Sequence, residues 1–428
     1  MLFNQTLTYI SLFSGAGVGC YGLLEEGFEC VATNEILEKR LNIQRINRKC
    51  KLDESYISGD IKKPETKEKI LKQIGFYSKK FGNDRVDLVV ATPPCQGMSV
   101  ANHKKKNDEI KRNSLVVESI DLIKQIKPRF FILENVPSFY KTGCIDKNDN
   151  LLEIGSMIEQ NLSGDYMLYD EVINFKNFGA NSSRTRTLVI GVCKEFKDFT
   201  STLEFFPDFK QEKTLKEVIG SLKPLTWGEY DSTDFYHSFR TYPKHMQEWI
   251  KDLEEGQSAF ENVQDAISDL AYLCSNEGAF ESDYLNPIQS SYQALMRKDS
   301  PKLYNHQATN HSQAALEKLK LINKEQGKEC LPKNLHGKQQ FKSTWGRLNW
   351  NKISPTIDTR FDTPSNGTNS HPELHRSITP REAARIQSFS DNYIFYGNKT
   401  SVCKQIGNAV PPLLALALGK AILKSLRK

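Results

Sequence analysis

Tyr9-Ile-Ser-Leu-Phe-Ser-Gly-Ala-Gly-Val-Gly19 reads as a buried strand running straight into glycines that open a helix. Glycines at that turn let the backbone approach a ligand closely, and the helix start offers free N–H groups. The spacing differs from the dinucleotide pattern G-x-G-x-x-G, because Gly15, Gly17 and Gly19 alternate. Outward from this turn, a β-branched run followed by a helical pattern returns every ~30 residues, as in βαβ units. The expected strands are 9–12, 30–34, 86–92, 130–134, 171–175 and 187–192, and the expected helices 17–26, 37–47, 66–74, 115–126 and 151–162. Runs such as Leu88-Val-Val-Ala and Phe130-Phe-Ile-Leu are apolar without alternation, which fits strands covered on both faces. The fold class expected is α/β, a Rossmann-like, mostly parallel, doubly wound sheet.

The 428 residues suffice for two domains. With 38% hydrophobic and 26% charged residues, the chain has material for a core and is not a disordered polymer. The net charge of +6 excludes a polycation that coats nucleic acid indiscriminately. The start, Met1-Leu-Phe-Asn-Gln-Thr, carries no signal pattern, no run approaches the ~20 apolar residues of a membrane span, and a cytoplasmic location is expected. Nine cysteines with no Cys-x-x-Cys pair argue against a disulfide framework or a structural zinc, and no metal is expected.

From about Glu195 the βαβ rhythm fails. The stretch 231–283 holds twelve acidic against three basic residues, whereas 297–347 holds eleven basic against four acidic. Either run can be a solvated face, or the basic half can face a polyanion. Order returns at Ser377: Thr379-Pro-Arg-Glu382 announces a capped helix, and another follows Pro412 to about Leu426. The expected domains are 1–195 for catalysis and cofactor, a smaller irregular domain at 196–375 for target recognition, and a segment at 376–428 whose helix returns to the first.

Several residues stand where chemistry is done. Glu35 ends the second strand, either as a helix N-terminal acid or as a ribose ligand, and Asp60 follows the third, either as a turn aspartate or as an acceptor for an adenine amine. Asp87-Leu-Val-Val-Ala-Thr-Pro-Pro-Cys-Gln-Gly97 presents Cys95 at the ligand edge from a turn too polar for a core thiol. Its thiolate needs local positive potential or a proton acceptor. Glu134 ends another apolar strand, where a carboxylate is costly unless paired or functional. Arg184 and Arg186, two apart in an extended segment, project to one side.

In this order the strings resemble the S-adenosylmethionine-dependent DNA cytosine-5 methyltransferases of bacterial and phage restriction-modification systems. Pro93-Pro-Cys-Gln96, Glu134-Asn-Val136 and Gly407-Asn-Ala-Val-Pro-Pro412 carry the likeness over roughly 9–192 and 377–423, and most of the middle lies outside it. Departures fall at Met98 and Asn102 of the catalytic loop and at Asn181-Ser182, where the family has Pro-Gln. The resemblance implies that Cys95 adds to carbon 6 of a flipped cytosine, Glu134 donates to ring nitrogen 3, Arg184 braces the glutamate and Arg186 contacts the carbonyl. Carbon 5 then takes the methyl, leaving S-adenosylhomocysteine. It places the cofactor on Phe13, Ser14, Gly15, Gly17, Gly19, Glu35, Ile36, Asp60, Ile61, Pro93, Asn408 and Val410. Double-stranded DNA would meet Gln96, Ser99, Lys104, Lys105 and Arg112 in the catalytic loop. Lys338, Lys342, Arg347, Thr356 and Arg360 would meet it in the reading domain. The implied protein is a monomer, with a restriction endonuclease acting on the same site but not necessarily in complex. A transfer-RNA methyltransferase on the same core, a nicotinamide dehydrogenase and a non-catalytic DNA-binding module are the rival readings.

Overall fold

The computed structural model describes residues 6–82, 85–94, 113–196, 213–222, 281–282, 291–297, 300, 303–309, 311–323, 326–336 and 343–426. They form two compact units, 1–212 with 409–428, and 213–408.

The first unit is built on seven strands: β1 (Thr8–Leu12), β2 (Glu29–Glu35), β3 (Tyr56–Ser58), β4 (Leu88–Ala91), β5 (Phe130–Asn135), β6 (Tyr166–Asn174) and β7 (Thr185–Cys193). Their spatial order is β3-β2-β1-β4-β5-β7-β6. The first five pair in parallel, and β7 runs antiparallel to both β5 and β6. The sheet is therefore mostly parallel, with an antiparallel edge that the βαβ rhythm did not announce. Ten residues and no crossover helix join β6 to β7 in sequence, a connection that suits antiparallel neighbours.

Successive strand residues point to opposite faces, and both faces are covered. Ile10, Val31, Val89, Phe131 and Val189 pack in one core with residues of α3 (Pro64–Phe81), α4 (Leu115–Ile126) and α5 (Ile154–Leu162). Tyr9, Cys30, Leu88, Val90 and Ile132 pack in the other with Leu23 of α1 (Tyr21–Glu25) and with α11 (Pro412–Leu426). That accounts for strands apolar without alternation. Helix α11 lies so close on α1 that a Cβ on Gly22 would collide with the Pro412 carbonyl. The helical stretch containing α11 is apolar enough to cross a membrane, and 67% of its most apolar window is buried inside this fold. Asp87 ties three strands at their start, accepting from the Thr8 N–H at 2.7 Å and pairing with Arg129.

Two local expectations fail. Leu151–Glu153 is a strand paired with Gly143–Ile145 rather than the first turn of α5. The chain also returns to the first unit at Ala409, not at residue 376.

The reason lies in α9 (Pro380–Ile386) of the second unit, whose flanking and internal arginines are consumed there. Arg376 grips Glu382 through two bonds of 2.8 Å. Arg381 donates to the carbonyls of Tyr304, Ser390 and Tyr393. Arg385 pairs with Asp391 and reaches the Val218 carbonyl of α6 (Leu215–Ile219). The Thr379/Glu382 capping box forms as its sequence indicates. The other described helices of this unit are α7 (Ser291–Arg297), α8 (Gln313–Leu321) and α10 (Lys399–Gly407).

Candidate active site

The carboxyl ends of the parallel strands and the turns that leave them carry the candidate residues of the first unit, the usual ligand edge of an open α/β sheet. After β1 the backbone turns through Phe13 (φ 55°), Gly15 (φ 54°) and Gly17 (φ 88°). The turn is pinned from β2, because the Ser14 N–H donates to the Asn34 carbonyl at 3.0 Å and the Gly15 N–H to Glu35 Oε2 at 2.9 Å. From β4, the Thr92 hydroxyl donates to the Phe13 carbonyl at 3.2 Å.

A second support was not expected from the sequence. Gln44 of α2 (Glu38–Ile46) donates to Ser14 Oγ at 2.8 Å and to the Gly15 carbonyl at 2.7 Å, and accepts from Thr33 Oγ1 at 2.8 Å. Lys49 Nζ in turn donates to Thr33 Oγ1. A Cβ on Gly17 would stand 2.7 Å from Gln44 Cγ, so the glycine is required for space as well as for its left-handed φ. A neutral amide inside a helix carries no signal that sequence reasoning can use.

Glu35 is buried at the end of β2. Its Oε1 accepts from the Leu37 N–H and pairs with Arg40, each at 3.1 Å, so it is held in one orientation. Beside it Ile36 is 59% exposed, an apolar surface at the ligand edge. Asp60 follows β3 and accepts from the Lys62 N–H at 3.0 Å. Ile61 is buried in the core beneath α3, which leaves its backbone as the part able to meet a ligand. Val410 packs 3.4 Å from the Cβ direction of Gly19. Asn408 is an exposed helix C-cap in the second unit.

At the end of β5, Asn135 Nδ2 donates to the Pro93 carbonyl at 2.9 Å and fixes the chain two residues before Cys95. Glu134 stands next to it, with Arg186 Nε of β7 3.2 Å from its Oε1. Burial pushes the Glu134 carboxyl above its ordinary value, and the charges of Arg186 and Arg184 pull it down without overcoming that. The sequence left that balance open. The guanidinium expected to meet a substrate carbonyl, that of Arg186, therefore lies against the glutamate, while Arg184 is buried and acts on the same carboxylate through its charge.

Cys95, Gln96, Ser99, Lys104, Lys105 and Arg112 lie outside the described residues, as do Lys338 and Lys342. Thr356 and Arg360 are exposed. Arg347 is not available to read DNA. Only 5% of it is exposed. Its guanidinium donates to the carbonyls of Ile322, His371, Leu374 and Leu319 and to His375 Nδ1, at 2.6 to 3.0 Å. It is a cap for the C-terminus of α8, where a cation is favoured.

The C-5 cytosine-specific DNA methylase family model matches residues 7–424. The chain belongs to that family. It is 30% identical to the type II methyltransferase M.DdeI of Desulfomicrobium norvegicum over 79% of this chain and 72% of that one. Against the type II methyltransferase M1.HphI of Haemophilus parahaemolyticus it is 26% identical over 99% and 88%. A solved structure described as a DNA modification methyltransferase encoded within an E. coli prophage shares the fold, with a TM-score of 0.67 at 22% identity, covering 99% of this chain and all of that one. The protein is thus a DNA cytosine-5 methyltransferase, an enzyme of a family that depends on S-adenosylmethionine.

Proposed function

We propose that this methyltransferase modifies carbon 5 of a cytosine flipped out of duplex DNA, through a covalent adduct with Cys95. The observation that carries the reading is at the end of β5. Glu134 is largely shielded from water beside Arg186, with its carboxyl pushed up, while the neighbouring Asn135 clamps the chain that leads to Cys95. A protonated Glu134 can donate to ring nitrogen 3 as the Cys95 thiolate bonds to carbon 6. The ring becomes an enamine whose carbon 5 is nucleophilic. Once carbon 5 has gained the methyl group, loss of its proton leaves the electron pair that re-forms the 5,6 double bond and expels the Cys95 thiolate, and Glu134 takes back the proton of ring nitrogen 3. Because the target atoms are out of reach in a stacked base, the cytosine leaves the helix.

The residues of the β1 turn fit the cofactor. The left-handed turn at Phe13–Gly17 leaves open space where a Gly15 Cβ would be, a held carboxylate stands at Glu35, and Ile36 offers an apolar face. Phe13, Ser14, Gly15, Gly17, Gly19, Glu35, Ile36, Asp60, the Ile61 backbone, Pro93 and Val410 would hold it. When bound, S-adenosylmethionine supplies the methyl group. Residues 213–408 serve as the reading domain, with Thr356 and Arg360 among its exposed candidates. The relatives' names, type II methyltransferases, support a place in a restriction-modification system. On that reading the protein works in the cytoplasm, and an endonuclease cuts the same site without a lasting complex. A monomer suffices for one flipped base.

Duplex DNA containing 5-fluorocytosine tests the covalent step, because fluorine cannot leave as the proton does. With cofactor present, the wild-type chain is expected to form a denaturation-resistant protein–DNA band that Cys95→Ala does not form. A wild type that methylates DNA yet traps nothing would remove the adduct from the account.

A further inference from the structure

The second unit holds a recess of about 470 Å³. Thr309, His311, Lys318, Trp345, Asp362 and Lys399 form its wall together with the first turn of α8. Trp345 and Thr309 are only 6% and 8% exposed, yet among the described residues the Trp345 Nε1–H and the Thr309 hydroxyl have no hydrogen-bond partner. A buried donor left unmade is a cost that folds avoid, and here two stand in one wall. Trp345 also sits at φ 64°, a left-handed conformation unfavourable for a bulky side chain, and its backbone N–H is tied to the Pro364 carbonyl at 2.9 Å.

The remaining wall is rich in donors. His311 Nε2 accepts from the Ser377 backbone N–H at 2.9 Å, so the ring proton sits on Nδ1. Burial and the nearby Lys399 keep this ring neutral. Lys318 Nζ lies 5.2 Å from the Trp345 ring centre, and Lys399 pairs with Asp362 at 3.2 Å, so the ammonium groups outnumber the carboxylate. The N-terminus of α8, capped by Ser312, adds the positive end of a nine-residue helix. Unpaired donors, excess positive charge and a helix start converge on a ligand that only accepts hydrogen bonds and carries negative charge.

We propose that the recess seats one backbone phosphate of the duplex, bound by Trp345 Nε1, the Thr309 hydroxyl and Lys318. The assignment rests on the reading of the chain as a duplex-DNA methyltransferase. It makes the recess a sequence-independent anchor that sets register.

The test measures duplex binding by the full chain across a salt series, for wild type and for Trp345→Phe, Thr309→Val and Lys318→Gln. The first two substitutions remove donors that lack a partner, so folding is expected to be kept or strengthened, as followed by circular dichroism on heating. DNA affinity is expected to fall about tenfold or more in each. For Lys318→Gln the slope of log affinity against log salt is expected to lose about 0.9. If all three variants bind duplex with wild-type affinity and slope, the proposal is overturned while the methylation reading stands. A wild type that binds no duplex overturns both. Calorimetry with inorganic phosphate separates the sources: saturable binding lost in the variants, with duplex binding unchanged, makes this a free-anion site and also overturns the proposal.

Discussion

Replacing Arg347 by alanine separates a structural arginine from a DNA-reading one. The side chain satisfies four carbonyls, three of them buried, and His375 Nδ1, and two of those carbonyls, Leu319 and Ile322, belong to the end of α8. At a net value of about 1 kcal/mol for each carbonyl bond, the loss is about 4 kcal/mol, before any relaxation that admits water. That is a large share of the ~5–15 kcal/mol that holds an ordinary domain together. The four tryptophans, Trp227, Trp249, Trp345 and Trp350, all fall in 213–408. Tryptophan fluorescence in a urea titration therefore reports on the second unit by itself. Arg347→Ala is expected to move the midpoint sharply down, or to show that unit unfolded without urea. Arg347→Lys should lie between, since one ammonium cannot reach acceptors spread over a planar fork. A structural role for Arg347 is refuted if Arg347→Ala unfolds within about 1 kcal/mol of wild type while its DNA affinity falls with a salt slope lower by about one, the behaviour of a phosphate contact.

Other consequences follow from the same geometry. Glu134 titrates above the ordinary carboxyl value because of burial, so its protonated form is favoured in the folded protein. Methyl transfer should therefore decline as pH rises through that raised value, and Glu134→Gln should lower the rate by about 10²–10⁴ and abolish that limb of the kcat/KM profile. An identical limb in the variant would assign the titration to another group. Gly17→Ala adds a left-handed penalty of about 1–2 kcal/mol and pushes on Gln44, so the calorimetric Kd for S-adenosylmethionine should rise about tenfold or more. Burial holds His311 down to about 4 and His371 down to about 3, below the ~6.5 of an unfolded histidine. Both contribute stability at neutral pH that is lost as pH falls from about 6.5 toward those values. Near pH 5 the second unit should lose up to about 2.7 kcal/mol per pH unit from this pair, and the His371→Asn/His311→Asn double variant should show a shallower acid limb in urea titrations at each pH.

The architecture of the first unit was legible because its strands are short, apolar on both faces and end in residues that make little sense elsewhere. The glycine turn, Glu35, the Pro93 turn and Glu134 all fall at one sheet edge. Strand direction was harder. A β-branched run such as 187–192 reads the same in either sense, and only the short link from β6 hinted that β7 is antiparallel. The second unit was largely opaque, since its order comes from arginines bonded to carbonyls distant in sequence. Counted as charge, Arg347, Arg381 and Arg385 resemble solvated or DNA-facing residues, although all three are buried. The same limit hid Gln44 and the strained Trp345, whose roles exist only once α2 and α8 are in place.

The central claim is tested most directly by incubating unmethylated duplex DNA with methyl-labelled S-adenosylmethionine and either wild type or Cys95→Ala, then sequencing the product after bisulfite treatment. The account predicts label with wild type alone, at carbon 5 of cytosines within one short motif. Label on adenine or on RNA only, or equal label with Cys95→Ala, would contradict it.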